Sequence, residues 1–257
     1  MNDASTKSSL SDRELLALIE ELNRRGKLNK LATYFPATGP LRRELYKRHM
    51  RFFALGGRHE PGPECPPDCK GAPHRERLFM AANRVGKTES AGGYELTCHL
   101  TGRYPAWWPG LRFTHPIDSW AAGTTKTGVR DILQLKLLGT ADIGRRELIG
   151  TGLIPGRDIV RVTPWHGVPG LAETVVVKSV FGGESVLAMK AYEQGRKSFE
   201  GTNKHVVLLD EECPLDIYVE AFTRTMTCNG HVLATFTPLQ GLTPLILEFL
   251  PNGKLPI

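Results

Sequence analysis

The chain predicts an α/β domain in which a central, mostly parallel sheet is flanked by helices. Three stretches carry that reading. Leu78-Phe-Met80 is a short apolar run followed by Ala81-Ala-Asn-Arg-Val-Gly86-Lys87-Thr88, and no Gly or Pro then interrupts Lys87 to Ala91. Strand, glycine-bearing loop and helix therefore come in that order. His205-Val-Val-Leu-Leu-Asp210-Glu211-Glu212 reads as a buried strand that ends in carboxylates. His231-Val-Leu-Ala-Thr235-Phe-Thr237-Pro238 is a third run, one helix later, ending in hydroxyls and a proline.

Taken in order, residues 1–10 are polar and read as a disordered tail. Ser11-Asp-Arg-Glu14 has the form of a capping box. Leu15, Leu16, Leu18, Ile19 and Leu22 recur at helical spacing, and Gly26 ends the helix. A single apolar stripe on so short a helix predicts docking on the body or on a partner. Residues 34–40 form a turn, and Leu41 to Leu55 reads as a second, basic helix carrying Tyr46, His49, Phe52 and Phe53. Residues 56–76 are a Gly/Pro loop, longer than most connections in compact domains and so a candidate functional segment. It holds Cys65 and Cys69, flanked by His59 and His74. Two Cys and two His can supply a tetrahedral zinc site. Against that, the intervals match no common zinc motif, and proline-rich loops also carry Cys without metal; the metal-free reading is favoured.

Residues 81–88 follow the phosphate-loop pattern G-x-x-x-x-G-K-[ST], with Ala81 where the first Gly usually stands. Successive loop N–H groups and the helix N-terminus make a concave anion site. Ala82, Asn83, Arg84, Val85, Gly86, Lys87, Thr88 and Glu89 are taken as the nucleotide-binding run. Lys87 would reach the β- and γ-phosphates, and the Thr88 hydroxyl would bind Mg²⁺.

A helix is expected to continue to about Leu100. Thr101-Gly-Arg-Tyr-Pro-Ala-Trp-Trp-Pro-Gly110 is irregular; its paired Trp can stack on bases, but Trp beside Pro more often plugs a core edge, and the core is favoured. Ile117 to Ala122 reads as a strand and Val129 to Leu138 as a helix. Residues 139–170 show no clear periodicity. Thr174 to Val180 and Ser185 to Met189 are apolar runs about Phe181-Gly-Gly-Glu184, a hairpin signal. Tyr192 to Thr202 is a polar connection.

At Asp210-Glu211-Glu212 the predicted strand delivers its acids to the C-terminal edge, where open α/β sheets bind ligands. Asp210 would hold Mg²⁺ and Glu211 would orient and deprotonate an attacking water. Alone, the pattern also fits a strand ending in a charged turn; the phosphate loop earlier in the chain favours chemistry. Thr237, at the end of the third run, offers a hydroxyl that could contact the γ-phosphate or the water; a strand that simply ends in β-branched residues fits the pattern equally well.

The chain has 257 residues, enough for one large α/β domain or two small ones, and a formal charge of +6. Arg24, Arg25, Lys27, Lys30, Arg42, Arg43, Lys47, Arg48 and Arg51 concentrate much of that charge early, as a solvated helical surface or a nucleic-acid face. Five cysteines at irregular spacing read as mostly free thiols, Cys98, Cys213 and Cys228 among them. No run approaches the roughly 20 apolar residues of a membrane span, and no signal peptide opens the chain. A soluble intracellular protein is expected.

Several ordered segments together resemble the large, motor subunit of tailed-bacteriophage terminases. They are Tyr46…His49-Met-Arg-Phe-Phe53, Ala82-Asn-Arg-Val-Gly-Lys-Thr88, Thr101 to Gly110, Ala191-Tyr-Glu-Gln-Gly-Arg-Lys-Ser-Phe-Glu-Gly201, Leu208-Leu-Asp-Glu-Glu212 and Ala234-Thr-Phe-Thr-Pro-Leu-Gln-Gly241. The resemblance implies a P-loop NTPase of the ASCE/RecA-like kind over about residues 34–250, after a helical extension at 1–33 and before a linker at 251–257. It implies ATP and Mg²⁺ as ligands, with Lys87 and Thr88 on nucleotide and metal, Asp210 and Glu211 as the acidic pair, Thr235–Pro238 as the coupling motif, and Arg84 as a γ-phosphate sensor. The family's adenine motif, which usually carries a Gln, falls at Tyr46–Phe53, where none stands. The implied partners are double-stranded DNA, a portal protein and a small terminase subunit. A homo-oligomeric ring is expected on the portal, a monomer in isolation, no membrane, and residence in the host cytoplasm. Family members continue into a nuclease, and this chain reads as an excised ATPase domain. The alternatives are another P-loop enzyme, such as a helicase or small-molecule kinase, and a nucleotide-binding scaffold without turnover.

Overall fold

The computed structural model describes residues 11, 13–18, 20, 21, 29–63, 65, 66, 68–82, 84–239 and 241–250. The polar tail, Ile19 and the stretch 22–28, which holds Leu22, the basic run at 24–27 and the predicted helix end at Gly26, together with Asn83 and the stretch 251–257, lie outside the described residues. Among the described residues, seven strands form one sheet in the order β1-β7-β6-β2-β5-β4-β3. These are β1 (Glu76–Met80), β2 (Asp118–Gly123), β3 (Ile159–Pro164), β4 (Ala172–Lys178), β5 (Glu184–Ala191), β6 (Val206–Asp210) and β7 (His231–Phe236). The run β1, β7, β6, β2, β5 is parallel throughout, and β4 and β3 extend it as an antiparallel meander. One strand, β7, is inserted between the phosphate-loop strand and the acidic strand, the arrangement of an ASCE-type P-loop fold.

Helices cover both faces, as parallel sheets require. On one face lie α1 (Lys47–Leu55), α2 (Tyr94–Thr101) and α3, a continuous helix over 126–138 whose middle, Val129–Gln134, is π-wound. On the other lie α4 (Leu215–Met226) and α5 (Pro244–Phe249). Strand β6 shows why the sheet reads as unbroken apolar runs. Val206 and Leu208 join the core under α1–α3, while Val207 and Leu209 join the core under α4 and α5. With both faces buried, successive side chains are all apolar although they point opposite ways.

The predicted strands at 78–80, 117–122, 205–210 and 231–237, the helices at 87–100 and 129–138, the helix expected between the acidic strand and the third run, and the hairpin at 174–189 all have counterparts in the structure. The basic helix expected over 41–55 is shorter. A 3-10 turn, Arg43–Leu45, stops at Tyr46, whose φ of −106° and ψ of 45° leave the helical region, and α1 starts at Lys47. Strand β3 falls inside the stretch that showed no periodicity. It is an edge strand, irregularly paired at Ile159/Arg161 and Thr163/Pro164 and little buried, so pairing with β4 rather than a burial pattern makes it a strand. The capping box is formed, the Ser11 N–H donating to Glu14 Oε2 at 2.9 Å and the Glu14 N–H to Ser11 Oγ at 3.4 Å, and Leu15, Leu16 and Leu18 on that helical segment are exposed. Trp108 is buried, its ring 4.8 Å from that of Phe53, in the core role favoured from sequence. Among the described residues no helix is long and apolar enough to cross a membrane.

A buried ion pair fastens β1 to the helix layer. Arg77 donates to Glu95 at 2.7 and 3.0 Å and to the Phe52 carbonyl at 2.7 Å. Burial alone would push the Glu95 carboxyl up, but the Arg77 charge and a hydrogen bond from His99 prevail and hold it at about 2. Removing one partner strands the other charge in the core. Arg77→Leu is therefore expected to cost about 3–5 kcal/mol of stability, with much of the loss recovered in the double variant Arg77→Leu/Glu95→Leu. Urea unfolding checks this; a single variant as stable as the parent would contradict it.

Candidate nucleotide-binding site

The site forms where two strand ends meet across β7. Strand β1 ends at Met80 and β6 at Asp210, and Thr235 of β7 stands level with both, paired with Phe79 on one side and Asp210 on the other. The loop after β1 turns through Arg84 and Gly86, at φ +65° and +82°. A Cβ on Gly86 would also lie 2.3 Å from Ser90 Oγ, so this turn admits only glycine. Ser90 Oγ donates to the Gly86 carbonyl at 2.7 Å and lies 3.0 Å from Nε2 of His49. Burial pushes His49 down to about 4, so it is a neutral imidazole at neutral pH. The residues Lys87–Gly93 continue as a π-wound segment that runs directly into α2. It lies close on the sheet at Gly92, where a Cβ would meet a Leu208 methyl at 2.4 Å.

Three predicted residues converge there. Thr88 Oγ1 donates to Asp210 Oδ1 at 2.8 Å, and Thr235 Oγ1 donates to the same oxygen at 2.7 Å. Burial pushes Asp210 up to about 6, against the pull of the Thr235 and Thr88 hydrogen bonds. A carboxylate in so dry a place is a group that a cation would stabilise. Together with the hydroxyl of Thr88 it makes a hard oxygen donor set suited to Mg²⁺. Lys87, buried, lies with Nζ 3.8 Å from Glu211 Oε1.

The structure also separates the two adjacent acids. Glu211 keeps its N–H on the Thr235 carbonyl at 2.9 Å, then takes φ +62°. That left-handed backbone is uncommon for a side chain of this size, and the surrounding pairing holds it there. It turns the half-exposed Glu211 carboxylate toward Lys87. Glu212 instead accepts a hydrogen bond from Thr243 Oγ1.

Other predicted residues stand differently. Thr237 Oγ1 donates to the Ala81 carbonyl at 2.9 Å, which ties the end of β7 to the start of the phosphate loop. Ala82, Arg84 and Val85 are exposed along the loop. Glu89 accepts from Lys30, from Tyr34 at 2.6 Å and from Lys136 at 2.6 Å. Burial would raise its carboxyl, but the hydrogen bonds from Lys136, Lys30 and Tyr34 hold it at about 2.

Tyr192 was not singled out from sequence, where it is one aromatic at the head of a polar connection. Its buried hydroxyl donates to the Asp210 carbonyl at 2.9 Å and lies 3.3 Å from the carbonyls of Glu211 and Ala122. It braces the acidic turn from below. Tyr192→Phe leaves those carbonyls short of a donor and is expected to cost about 1–3 kcal/mol. Chemical denaturation measures it; unchanged stability would mean the phenol carries no such load.

The family model described as terminase large subunit, T4likevirus-type, N-terminal, matches residues 78–254. The large terminase subunit of Salmonella phage P22 is 36% identical over 199 residues, which is 71% of this chain and 39% of that protein. The chain thus spans about two fifths of the length of that relative. Among solved structures, the large terminase of a thermophilic bacteriophage is 13% identical, covering 77% of this chain and 41% of that one at a TM-score of 0.48. The ATPase domain of the Thermus phage P74-26 large terminase is 18% identical, covering 76% and 71% at a TM-score of 0.44.

Proposed function

The chain belongs to the terminase large-subunit family, in its N-terminal, T4-like-virus type, and from that membership we propose that it is a motor domain that hydrolyses ATP to move double-stranded DNA into a procapsid. The observation that carries the reading is the meeting of the phosphate loop with the acidic strand. Thr88 bonds Asp210 at 2.8 Å, and Glu211 faces Lys87 at 3.8 Å.

Each residue then has a part. The loop N–H groups and Lys87 take the phosphate oxygens. Thr88 and Asp210 hold Mg²⁺, which when bound neutralises charge developing on the phosphates. A γ-phosphate beside Lys87 takes over the ammonium's charge and leaves the Glu211 carboxylate to orient a water and accept its proton. Arg84, exposed on the loop, is the candidate γ-phosphate sensor. Thr237, bonded to the Ala81 carbonyl, links movement of the phosphate loop to β7. The partners that follow are DNA, a portal protein and a small terminase subunit, with a ring assembled on the portal, a monomer in isolation, and action in the host cytoplasm.

The test is titration of the chain with Mg·ATP and measurement of phosphate release with and without double-stranded DNA. Binding with slow turnover is expected of the isolated domain. A folded chain that binds no Mg·ATP would remove the proposal, and binding without any turnover, in the full-length protein on portal-bearing procapsids as well, would leave a nucleotide-binding scaffold.

A further inference from the structure

The loop between α1 and β1 holds a cluster that the nucleotide site does not use. His59, Cys65, Cys69 and His74 each present one ligand atom, and these four atoms all lie within 4.8 Å of one another. The His59 Nε2 atom is 3.4 Å from Cys65 Sγ and 3.5 Å from Cys69 Sγ, and His74 Nε2 is 3.6 Å from Cys69 Sγ. Bonds of about 2.3 Å to sulfur and about 2.0–2.1 Å to nitrogen, set at a tetrahedral angle, place S and N about 3.5–3.6 Å apart. We infer that these four side chains are a structural zinc site of the Cys₂His₂ type.

The surroundings suit that assignment. His59 Nδ1 lies 3.1 Å from the Gly57 carbonyl; an N–H there fixes the tautomer whose Nε2 lone pair faces the cluster. Arg51 donates to the Glu60 carbonyl at 2.7 Å and stands 3.8 Å from Cys65 Sγ, a cation beside a prospective thiolate. Backbone hydrogen bonds pinch the loop at the same points. The His59 N–H donates to the Gly71 carbonyl at 3.2 Å, the Cys69 N–H to the Pro66 carbonyl at 3.0 Å, and the His74 N–H to the Leu55 carbonyl at 2.8 Å.

Apolar burial contributes little to the order of this loop. Among its described residues between 56 and 75, the buried ones are Gly56, Gly57, Cys65 and Gly71. Apolar side-chain burial therefore cannot account for how it is held, whereas a metal joining residues 59 and 74 can. The residue interval is not that of a zinc finger, because one His precedes both Cys; still, the two Cys are separated by three residues and the second His follows by four. Two thiolates with two imidazoles make a borderline-soft donor set that selects zinc over Mg²⁺. Four protein ligands close the coordination sphere, which is the mark of a structural site. His74 stands two residues before β1, so the site lies at the opposite end of that strand from the phosphate loop, about 16 Å away along five residues. Binding releases the thiol protons to solvent, and its effect falls on the stability of the loop and of β1, not on phosphate chemistry.

The experiment uses the whole chain purified without chelator, and no nucleotide. Elemental analysis should return one zinc per chain. Refolding the metal-free chain with Co²⁺ should give the visible bands of a tetrahedral ion and a thiolate-to-cobalt charge-transfer band. Cys69→Ser should lose the zinc and lower the melting temperature, while Cys228→Ser should keep both. If Cys69→Ser does not fold, the cobalt spectrum of the parent still decides. A chain that retains no zinc and shows no charge-transfer band overturns the inference and leaves a hydrogen-bonded thiol–imidazole cluster. A mass two hydrogen atoms lighter, with Cys65 and Cys69 oxidised and linked, would overturn it in favour of a disulfide.

Discussion

Glu211→Gln should bind Mg·ATP as the parent does and hydrolyse it roughly 10²–10⁴-fold more slowly, the range for loss of a general base. The amide keeps the size of the side chain and its place after Asp210 but cannot accept a proton. Lys87, Thr88 and Asp210 remain, so the groups that hold nucleotide and metal are intact. The control is the neighbouring acid. Glu212 is engaged by Thr243, so Glu212→Gln should turn over nearly normally. Single-turnover hydrolysis on all three proteins, with binding measured separately, decides it. Should Glu212→Gln be the inactive one and Glu211→Gln the active one, the assignment of the base is off by one residue.

Lys87→Ala should lose most of its affinity for ATP. Each charge-assisted hydrogen bond is worth about 1.5–3 kcal/mol, so each lost contact to a phosphate oxygen lowers affinity by roughly 10–10²-fold. The fold should survive, because Glu211, the partner at 3.8 Å, is partly exposed and can be solvated once the ammonium is gone. Circular dichroism and urea unfolding establish that the variant is folded before titration. Unchanged ATP affinity in a folded Lys87→Ala protein would mean that this loop does not hold phosphate.

The central strands were legible because burial on both faces leaves a mark on consecutive residues. Val206 to Leu209 could hardly be anything but a core strand, and the helix after Thr88 was legible from the loop before it. The edge was not. Residues 159–164 carry Arg161 and Pro164 and expose most of their side chains, so they show neither alternation nor an apolar run. Their strand character comes from β4 alongside. Within the site, Lys87 and Thr88 are adjacent to the glycine that makes their turn, and that local chemistry can be read directly. Tyr192, bonded to a carbonyl 18 residues further on, offered no such spacing.

The sequence by itself determined which groups are available: a phosphate loop after a short strand, two acids after a longer one, a polar end on a third, and two Cys with two His in one loop. These are properties of neighbours in the chain, where periodicity and turn chemistry act over a few residues. Only the tertiary structure decided which of them meet. Strand order brings Thr88 to Asp210 across 122 residues, and the left-handed backbone at Glu211, rather than any difference in composition, turns one acid to Lys87 while Thr243 engages the other. Arg77 and Glu95, 18 residues apart, find each other only because the sheet and the helix layer over it fold together. The metal-free reading of the 56–76 loop rested on intervals along the chain and on its prolines; neither measures the distance between Sγ and Nε2, which is what the zinc inference rests on. Contacts of that kind depend on where the backbone goes, which is fixed by the packing of the whole sheet and its two helix layers.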